Sequence, residues 1–417
     1  MFERRIYPLT AAPEPKPRAR YAAKRDAIMT AATKVFVEQG MSGFTLAAVA
    51  KRMDLHPVSL TYYFKRKEDL AAAVLRDTID RFAAMLDQAE ARSAPGDRLA
   101  TFIAAYFETR RRIAVGEEGP LAPFSEVYLI EGDQKQPVID AFETLYVRIG
   151  RLLKSEDMPW VGAPRRQGVA RLVVNLLTWS DSWLIGYAPA DYARVAARLA
   201  DVLVGGLAAP GRAWPRMPLL DLAEPVAEND EITRDRFLVA ATRLINREGY
   251  RGASVDKISA ELNVTKGSFY HHNSDKDELA VACFERTFGL IDRARREAAS
   301  AGSGWEQLWL AVVSLGMHQA EGGGGRILRN HALAAVPIAM RRRMLLRFQQ
   351  IANSFGGVIA DGIADGSIRP VDPMLAAYAS MVIFNACLPL EPHRSPPSTE
   401  GVIEEYLRPA LLGVFVK

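Results

Sequence analysis

Residues 54–64 read "DLHPVSLTYYF" and residues 263–273 read "NVTKGSFYHHN". Laid over one another they share a single identity, Ser59 with Ser268, yet small, apolar and aromatic positions follow in the same order. A shift of 209 carries residues 24–74 onto 233–283 without a gap, with 12 identities in 51 positions. Arg25/Arg234, Gly40/Gly249, Lys67/Lys276 and Leu70/Leu279 are among them. The chain therefore holds one device twice, and the two copies have diverged.

The apolar template is better kept than the identities. Ile28, Ala31, Ala32, Val35 and Phe36 fall at i, i+3, i+4, i+7, i+8, and Phe237, Ala240, Ala241, Leu244 and Ile245 repeat the spacing, so each set lines one face of a helix. Gly40 and Gly249 stand where a helix C-terminus favours a left-handed residue. Thr45 and Ser254 are suited to cap a second helix, whose inner face carries Leu46, Val49, Ala50 and Met53, or Val255, Ile258 and Leu262. A short turn, Asp54-Leu55 or Asn263-Val264, leads into the two quoted stretches. Two short helices joined by a tight turn behind a longer one form the three-helix version of helix-turn-helix, whose last helix enters the major groove of DNA.

The remaining composition fits such a protein. A chain of 417 residues is expected to hold at least two domains. Half of it is apolar and a quarter charged, as in soluble globular proteins. Two cysteines, Cys283 and Cys387, exclude a disulfide framework and suit a reducing cytoplasm as small buried residues. The N-terminal stretch lacks the apolar h-region of a secretory signal, and a cytoplasmic location is expected. Met374–Leu390 carries no charge, but its length and its Ser380, Asn385 and Pro389 indicate a buried helix rather than a membrane span. Net charge is only +4, but seven basic residues lie within the first 25 against Glu3 and Glu14. This Pro- and Ala-rich arm is expected to be flexible, serving as a nucleic-acid contact or as a solubilising tail. No catalytic elbow, metal-spaced histidine pair, cysteine cluster or dinucleotide-binding glycine pattern occurs, so neither an enzyme nor a cofactor is expected.

The segments "FTLAAVAKRMDLHPVSLTYYFKRKEDL" and "ASVDKISAELNVTKGSFYHHNSDKDEL" resemble the DNA-binding region of the TetR family of bacterial repressors. That family's pattern runs roughly T-x-x-x-I-A-x-x-x-G-V-S-x-G-x-L-Y-x-Y-F-x-x-K-x-x-L. More loosely, "EGGGGRILRNHALA" and "IADGIADGSIRPVDPMLAAYA" resemble the starts of its sixth and eighth helices. The resemblance implies an all-α protein of two nine-helix units in tandem, each with three helices for DNA and six for ligand binding and dimerisation. The last two helices of each unit, "YARVAARLADVLVGGL" and "IEEYLRPALLGVF", would then pair within one chain as an intramolecular pseudo-dimer. The expected division is a basic arm at 1–23, helix-turn-helix domains at 24–74 and 233–283, helical domains at 75–207 and 284–417, and a linker at 208–232. That linker is long enough, fully extended, to span up to roughly 80 Å.

Candidate DNA contacts follow for each copy. In the second, Thr265 would cap the reading helix, and Lys266, Gly267 and Ser268 would form its first turn, with Lys266 donating to a guanine edge or a phosphate. Tyr270 matches the family's phosphate-contacting tyrosine, His271 is an added candidate, Lys276 opens the next helix, and Ser254 caps the preceding one. In the first copy His56 stands at the cap, Pro57 at the first helical position and Val58 at the family's glycine; Ser59 follows. Thr61 occupies the tyrosine position with Tyr62 beside it, and Thr45 and Lys67 remain for phosphate. Asn273 replaces the closing aromatic that Phe64 supplies. Two readings stand: the copies recognise unlike half-sites, or one is silent.

For a small-molecule pocket the candidates are Trp179, Trp183 and Tyr187, at i, i+4, i+8 of one helix face, with Met317, His318, Phe384 and Cys387 in the second half. Each of these is more simply a core residue by type. Arg110–Arg112 and Arg341–Arg343 read as solvated helix faces. Expected partners are an operator duplex and a small-molecule effector; pairing of two chains into a homodimer is a further possibility. The function expected is that of a ligand-responsive transcriptional repressor. The alternative is a sensor or scaffold of the same fold with one or both copies silent.

Overall fold

Both copies of the repeat fold into three helices, and two larger helical bodies stand behind them. The computed structural model describes residues 17–223, 234–272, 275–321, 327–329, 332–335, 338–385, 387 and 398–417, which contain no strand. The first half comprises α1 (Pro17–Gly43), α2 (Leu46–Arg52), α3 (Pro57–Thr61), α4 (Lys67–Glu90), α5 (Pro95–Ala114), α6 (Lys135–Leu152), α7 (Ala163–Trp179) and α8 (Tyr192–Gly205). The second comprises α9 (Arg234–Gly252), α10 (Val255–Glu261), α11 (Lys266–His272), α12 (Lys276–Ala298), α13 (Gly304–Glu321), α14 (Ala332–Ala335), α15 (Ile338–Ala364), α16 (Pro373–Asn385), α17 (Thr399–Val402) and α18 (Arg408–Leu412). No helix among the described residues is long and apolar enough to cross a membrane.

The local signals act as the sequence predicts. Ile28, Ala32, Val35 and Phe36 are buried in one copy and Phe237, Ala241, Leu244 and Ile245 in the other. Gly40 and Gly249 break α1 and α9 with φ of 61° and 72°. Thr45 accepts a hydrogen bond from the Ala48 amide (3.0 Å) and Ser254 from the Lys257 amide (3.3 Å). The turns use a device that sequence reasoning missed. Asp54 and Asn263 adopt φ of 54° and 55°, which short polar side chains tolerate better than others. At the N-terminus the expectation needs correcting: α1 begins at Pro17, so residues 17–23 are helical rather than part of a flexible arm. Tyr21 stacks on Tyr63 at 4.9 Å, which anchors that first turn to the segment after α3.

Behind the DNA-binding helices the halves share a further likeness. Thr78 on α4 accepts a hydrogen bond from the Ala122 amide (2.8 Å), and Thr287 on α12 accepts one from the Leu328 amide (3.0 Å). Each hydroxyl tethers the chain that follows the next helix. The tethered segment of the first half continues into a 3-10 turn at Phe124–Leu129, which packs into an aromatic core with Phe82 and Phe142. The helical spacing of Trp179, Trp183 and Tyr187 does not belong to one helix: α7 stops at Trp179, and 3-10 turns follow at Ser180–Ser182 and Leu184–Gly186. Trp179, Trp183 and Tyr187 therefore do not share a helix face.

The halves meet along α7 and α8 on one side and α16 with residues 399–412 on the other. Backbones come unusually close there. A Cβ at Gly206 would lie 2.1 Å from the Leu412 carbonyl carbon, and one at Gly413 2.6 Å from the Val204 oxygen. Gly206 and Gly413 hold φ of 69° and 107°. The segments that leave α8 and α18 exchange backbone hydrogen bonds, Leu207 donating to Leu411 (2.8 Å) and Val414 to Leu203 (3.0 Å). Between α17 and α18 the helix widens into a π turn at Ile403–Leu407, because Pro409 cannot donate to the Glu405 carbonyl four residues earlier. That carbonyl faces Gly168 on α7, where a Cβ would approach it to 2.5 Å. Around this seam Trp183 stacks on Tyr378 (4.9 Å, 9°) and Trp179 meets Phe348 edge-on (4.9 Å). Such aromatic pairs contribute about 0.5–1.5 kcal/mol each beyond burial. Arg369 reaches from the second half to the Asp201 carboxylate (2.9 Å) and the Gly206 carbonyl (2.7 Å).

The connecting segment is more than a spacer. Trp214 packs edge-on against Trp309 (5.5 Å), the Trp305 indole donates to the Ala213 carbonyl (3.4 Å), and the Leu220 amide donates to Ser314 (3.0 Å). Residues 208–223 thus run along α13 of the second half.

Two substitutions test this seam by urea unfolding. Gly206→Ala is expected to destabilise by about 2–4 kcal/mol, since backbone strain and overpacking add. Gly211→Ala, at φ 79° with open space around it, serves as the control for strain alone and costs about 1–2 kcal/mol. Gly168→Ala, which leaves local backbone strain aside, is expected to cost about 1–3 kcal/mol.

Candidate nucleic-acid interface and ligand cavity

The reading helices are held from beneath by one apolar residue each. Leu60 in α3 and Phe269 in α11 are fully buried, the latter edge-on to Phe237 at 5.8 Å. Their neighbours point outward as a consequence of helical spacing. In the first copy His56, Pro57, Val58, Ser59, Thr61 and Tyr62 are all exposed, Val58 at 67% and Tyr62 at 76%. His56 does serve as the cap: its Nδ1 accepts from the Val58 amide at 3.4 Å, a long bond beside the usual serine or threonine cap. Thr61 turns its hydroxyl to the Val58 carbonyl (2.8 Å). Lys67 opens α4, half-buried, with Glu68 at 3.9 Å.

In the second copy Thr265, Lys266, Gly267, Tyr270 and His271 are exposed and Ser268 half-buried. Thr265 accepts from the Ser268 amide at 3.3 Å, and Lys266 reaches back to Asp256 on α10 at 2.6 Å. Lys276 opens α12 and lies 4.6 Å over the Tyr250 ring, whose hydroxyl donates to Asp277. The departure noted at Asn273 lies outside the described residues.

The first copy carries its positive charge beside the reading helix rather than on it. Lys51 and Lys65 are exposed and make no ion pair among the described residues, whereas Arg66 is held by Asp69 and Asp133, both at 3.2 Å. Sequence reasoning passed over Lys51 and Lys65; their position just before and after the turn-helix segment was the available signal.

A cavity of about 300 Å³ lies between the halves. Its first wall is built from α4, α5 and α7 with Phe82, Tyr106, Arg110, Asn175 and Trp179, and its second from Arg329, Leu333, Arg341, Val382 and Asn385. Val37 of α1 also lines it, so the cavity touches a DNA-binding domain directly. Of the residues expected to form a pocket only Trp179 does so here. Trp183 and Tyr187 belong to the seam described above. Met317, His318 and Cys387 are buried in the second half's core; Phe384 borders a void of only about 10 Å³ that Phe284, Phe288 and Phe348 otherwise fill. Burial pushes the Cys387 thiol up to about 12 and the Cys283 thiol up to about 11, so neither is poised to react.

The arginine runs also need correcting. Arg111 and Arg112 are solvated and pair with Glu108, Glu117 and Glu118, but Arg110 turns inward and forms an ion pair with Asp181 on the cavity wall. Burial raises the Asp181 carboxyl, and Arg110 opposes the shift. Burial likewise raises the Tyr106 hydroxyl beside them. Arg341 also lines the cavity while Arg342 and Arg343 stay exposed, and desolvation lowers its guanidinium. No group of His, Cys, Asp and Glu among the described residues could hold a metal ion.

Comparison with known proteins accords with this geometry. Over 81 residues the chain is 35% identical to the transposon Tn10 TetC protein of Escherichia coli, which covers 19% of this chain and 41% of that protein. It is 26% identical over 223 residues to an HTH-type transcriptional regulator of Saccharopolyspora erythraea, half of this chain and 83% of the relative. Among solved structures, AibR in complex with isovaleryl coenzyme A and operator DNA aligns over 43% of this chain and 97% of its own, at 22% identity and a TM-score of 0.36. Residues 28–74 and 237–283 each match the family described as bacterial regulatory proteins, tetR family. Each half of the chain therefore carries a helix-turn-helix domain of that family.

Proposed function

We propose that this protein is a DNA-binding transcriptional regulator, a repressor released from its operator by a small molecule, and that one chain is the complete reading unit. The observation that carries this is the pair of outward-facing reading helices, α3 and α11, both fixed to one body through the glycine seam. In a homodimer symmetry makes the two reading helices identical and the operator palindromic. Here fusion frees each helix to read its own half-site. Val58 offers an apolar contact of the kind that meets a thymine methyl, and Lys266 a donor for guanine or phosphate. Thr45, His56, Ser59, Thr61, Tyr62 and Lys67 in one copy, and Ser254, Thr265, Ser268, Tyr270, His271 and Lys276 in the other, would set register against the backbone and base edges. We divide the chain into helix-turn-helix domains at 24–74 and 233–283 and helical domains at 75–207 and 284–417, with α1 extended to Pro17. We place the protein in the cytoplasm and propose no catalytic step.

Control by a ligand is supported by the cavity's position. Val37 of α1 lines it, and α14, which follows the cavity residue Arg329, packs on both α1 and α9. An occupant that favours one placement of α14 therefore favours one spacing of the two reading helices, and so shifts the population on or off DNA.

Selection of bound duplexes from a random pool by the full-length chain tests this reading. The expected product is two unlike half-sites centred about one helical turn, ~34–36 Å, apart and occupied by one chain. Two like halves, or one half alone, would instead mean a silent copy and pairing between chains; no enrichment at low salt would leave the sensor reading. Lys266→Ala is expected to weaken binding and to reduce the salt slope by about 1 if it meets phosphate, or to relax preference at one base pair if it meets guanine.

A further inference from the structure

The cavity's chemistry narrows its occupant, an inference that rests on the effector-binding part of the reading above. Its wall carries three guanidinium groups, Arg110, Arg329 and Arg341, and one carboxylate, Asp181. Arg110 comes from the first half; Arg329 and Arg341 come from the second. The rest of the wall is largely apolar, with Phe82, Val382 and Leu333 among it. At ~30 Å³ per water molecule, about 300 Å³ has room for roughly ten water-sized groups. The void under Phe284, Phe288 and Phe348, about 10 Å³, is at the limit for a single water and too small for an organic ligand.

We propose that the cavity binds one amphipathic organic anion per chain, its acidic head held between the arginines of the two halves and its apolar body in the aromatic core of the first half. Arginine suits this role because its planar fork donates two parallel hydrogen bonds to a carboxylate or phosphate. The site exists only when the halves are together, since neither half supplies the full set of cations. The arginine-bearing stretch 329–341 spans α14, so an anion drawn to it acts on the element that touches both DNA-binding domains. Among the described residues the aromatic side chains Phe284, Phe288 and Phe348 leave no second cavity of this size, which is the basis for one effector per chain.

Calorimetric titration of the full-length chain tests this with octanoate and octyl phosphate as probes and octanol and octylamine as uncharged-head and cationic controls. At least one anion is expected to bind with one equivalent per chain and at least tenfold more tightly than octanol, with octylamine weakest; which anion wins identifies the head group. Arg341→Gln is expected to reduce that preference at least fivefold while leaving the far-UV circular dichroism unchanged. Arg110→Gln serves as a second variant and is expected to weaken anion binding as well, since Arg110 is the cation that the first half contributes to the wall. Binding of octanol as tight as either anion, two equivalents per chain, or no binding of either anion would overturn the proposal. DNA binding is read separately by mobility shift: an anion site on a chain that selects no duplex sinks the operator reading alone. Operator binding by a chain that takes neither anion sinks this inference alone.

Discussion

Everything functional in this molecule depends on two backbones approaching each other without side chains between them. At the ends of α8 and α18 glycines in the positive-φ region let the chains exchange hydrogen bonds, and Gly168 lets α7 settle on the π turn that Pro409 imposes. Each of these contacts is short-range and sterically steep, so the seam fixes the relation of the halves far more tightly than surface ion pairs such as Arg198–Asp372 would. The placement of the two reading helices and the closure of the cavity are both consequences of that fixed relation.

Along the seam the halves are alike, Gly206 and Gly413 both holding positive φ, because both sides meet backbone to backbone. Away from it the halves have specialised. One core keeps a cavity under Phe82 and Trp179, while among the described residues Phe284, Phe288 and Phe348 leave a void of only about 10 Å³ in the other. One reading helix presents a proline, a valine and a histidine cap; the other presents a lysine and a glycine. The linker packs along α13, which shortens the free tether between the halves and so raises their effective concentration.

The parts legible in the sequence were those governed by local rules. Helical periodicity exposed α1 and α9, cap chemistry marked Thr45 and Ser254, and glycines marked the helix ends, because each depends on neighbours within a few residues. The left-handed Asp54 and Asn263 escaped notice since many residues precede turns without adopting that conformation. Trp179, Trp183 and Tyr187 misled for a related reason: their spacing is helical, but the chain leaves the helix at Trp179 so that Trp183 can stack on Tyr378 nearly two hundred positions away. The arginine runs misled as well, since a run of like charges carries no mark of which member turns inward.

By itself the sequence determined the fold class, the duplication and the places of the two helix-turn-helix segments, all of which follow from periodicity and from steric rules acting over a turn or two of helix. Only the tertiary structure decided where the cavity lies, which arginines face it, and that α14 touches both DNA-binding domains. These features join residues as distant as Val37 and Asn385, and such contacts are set by packing between surfaces rather than by any pattern along the chain.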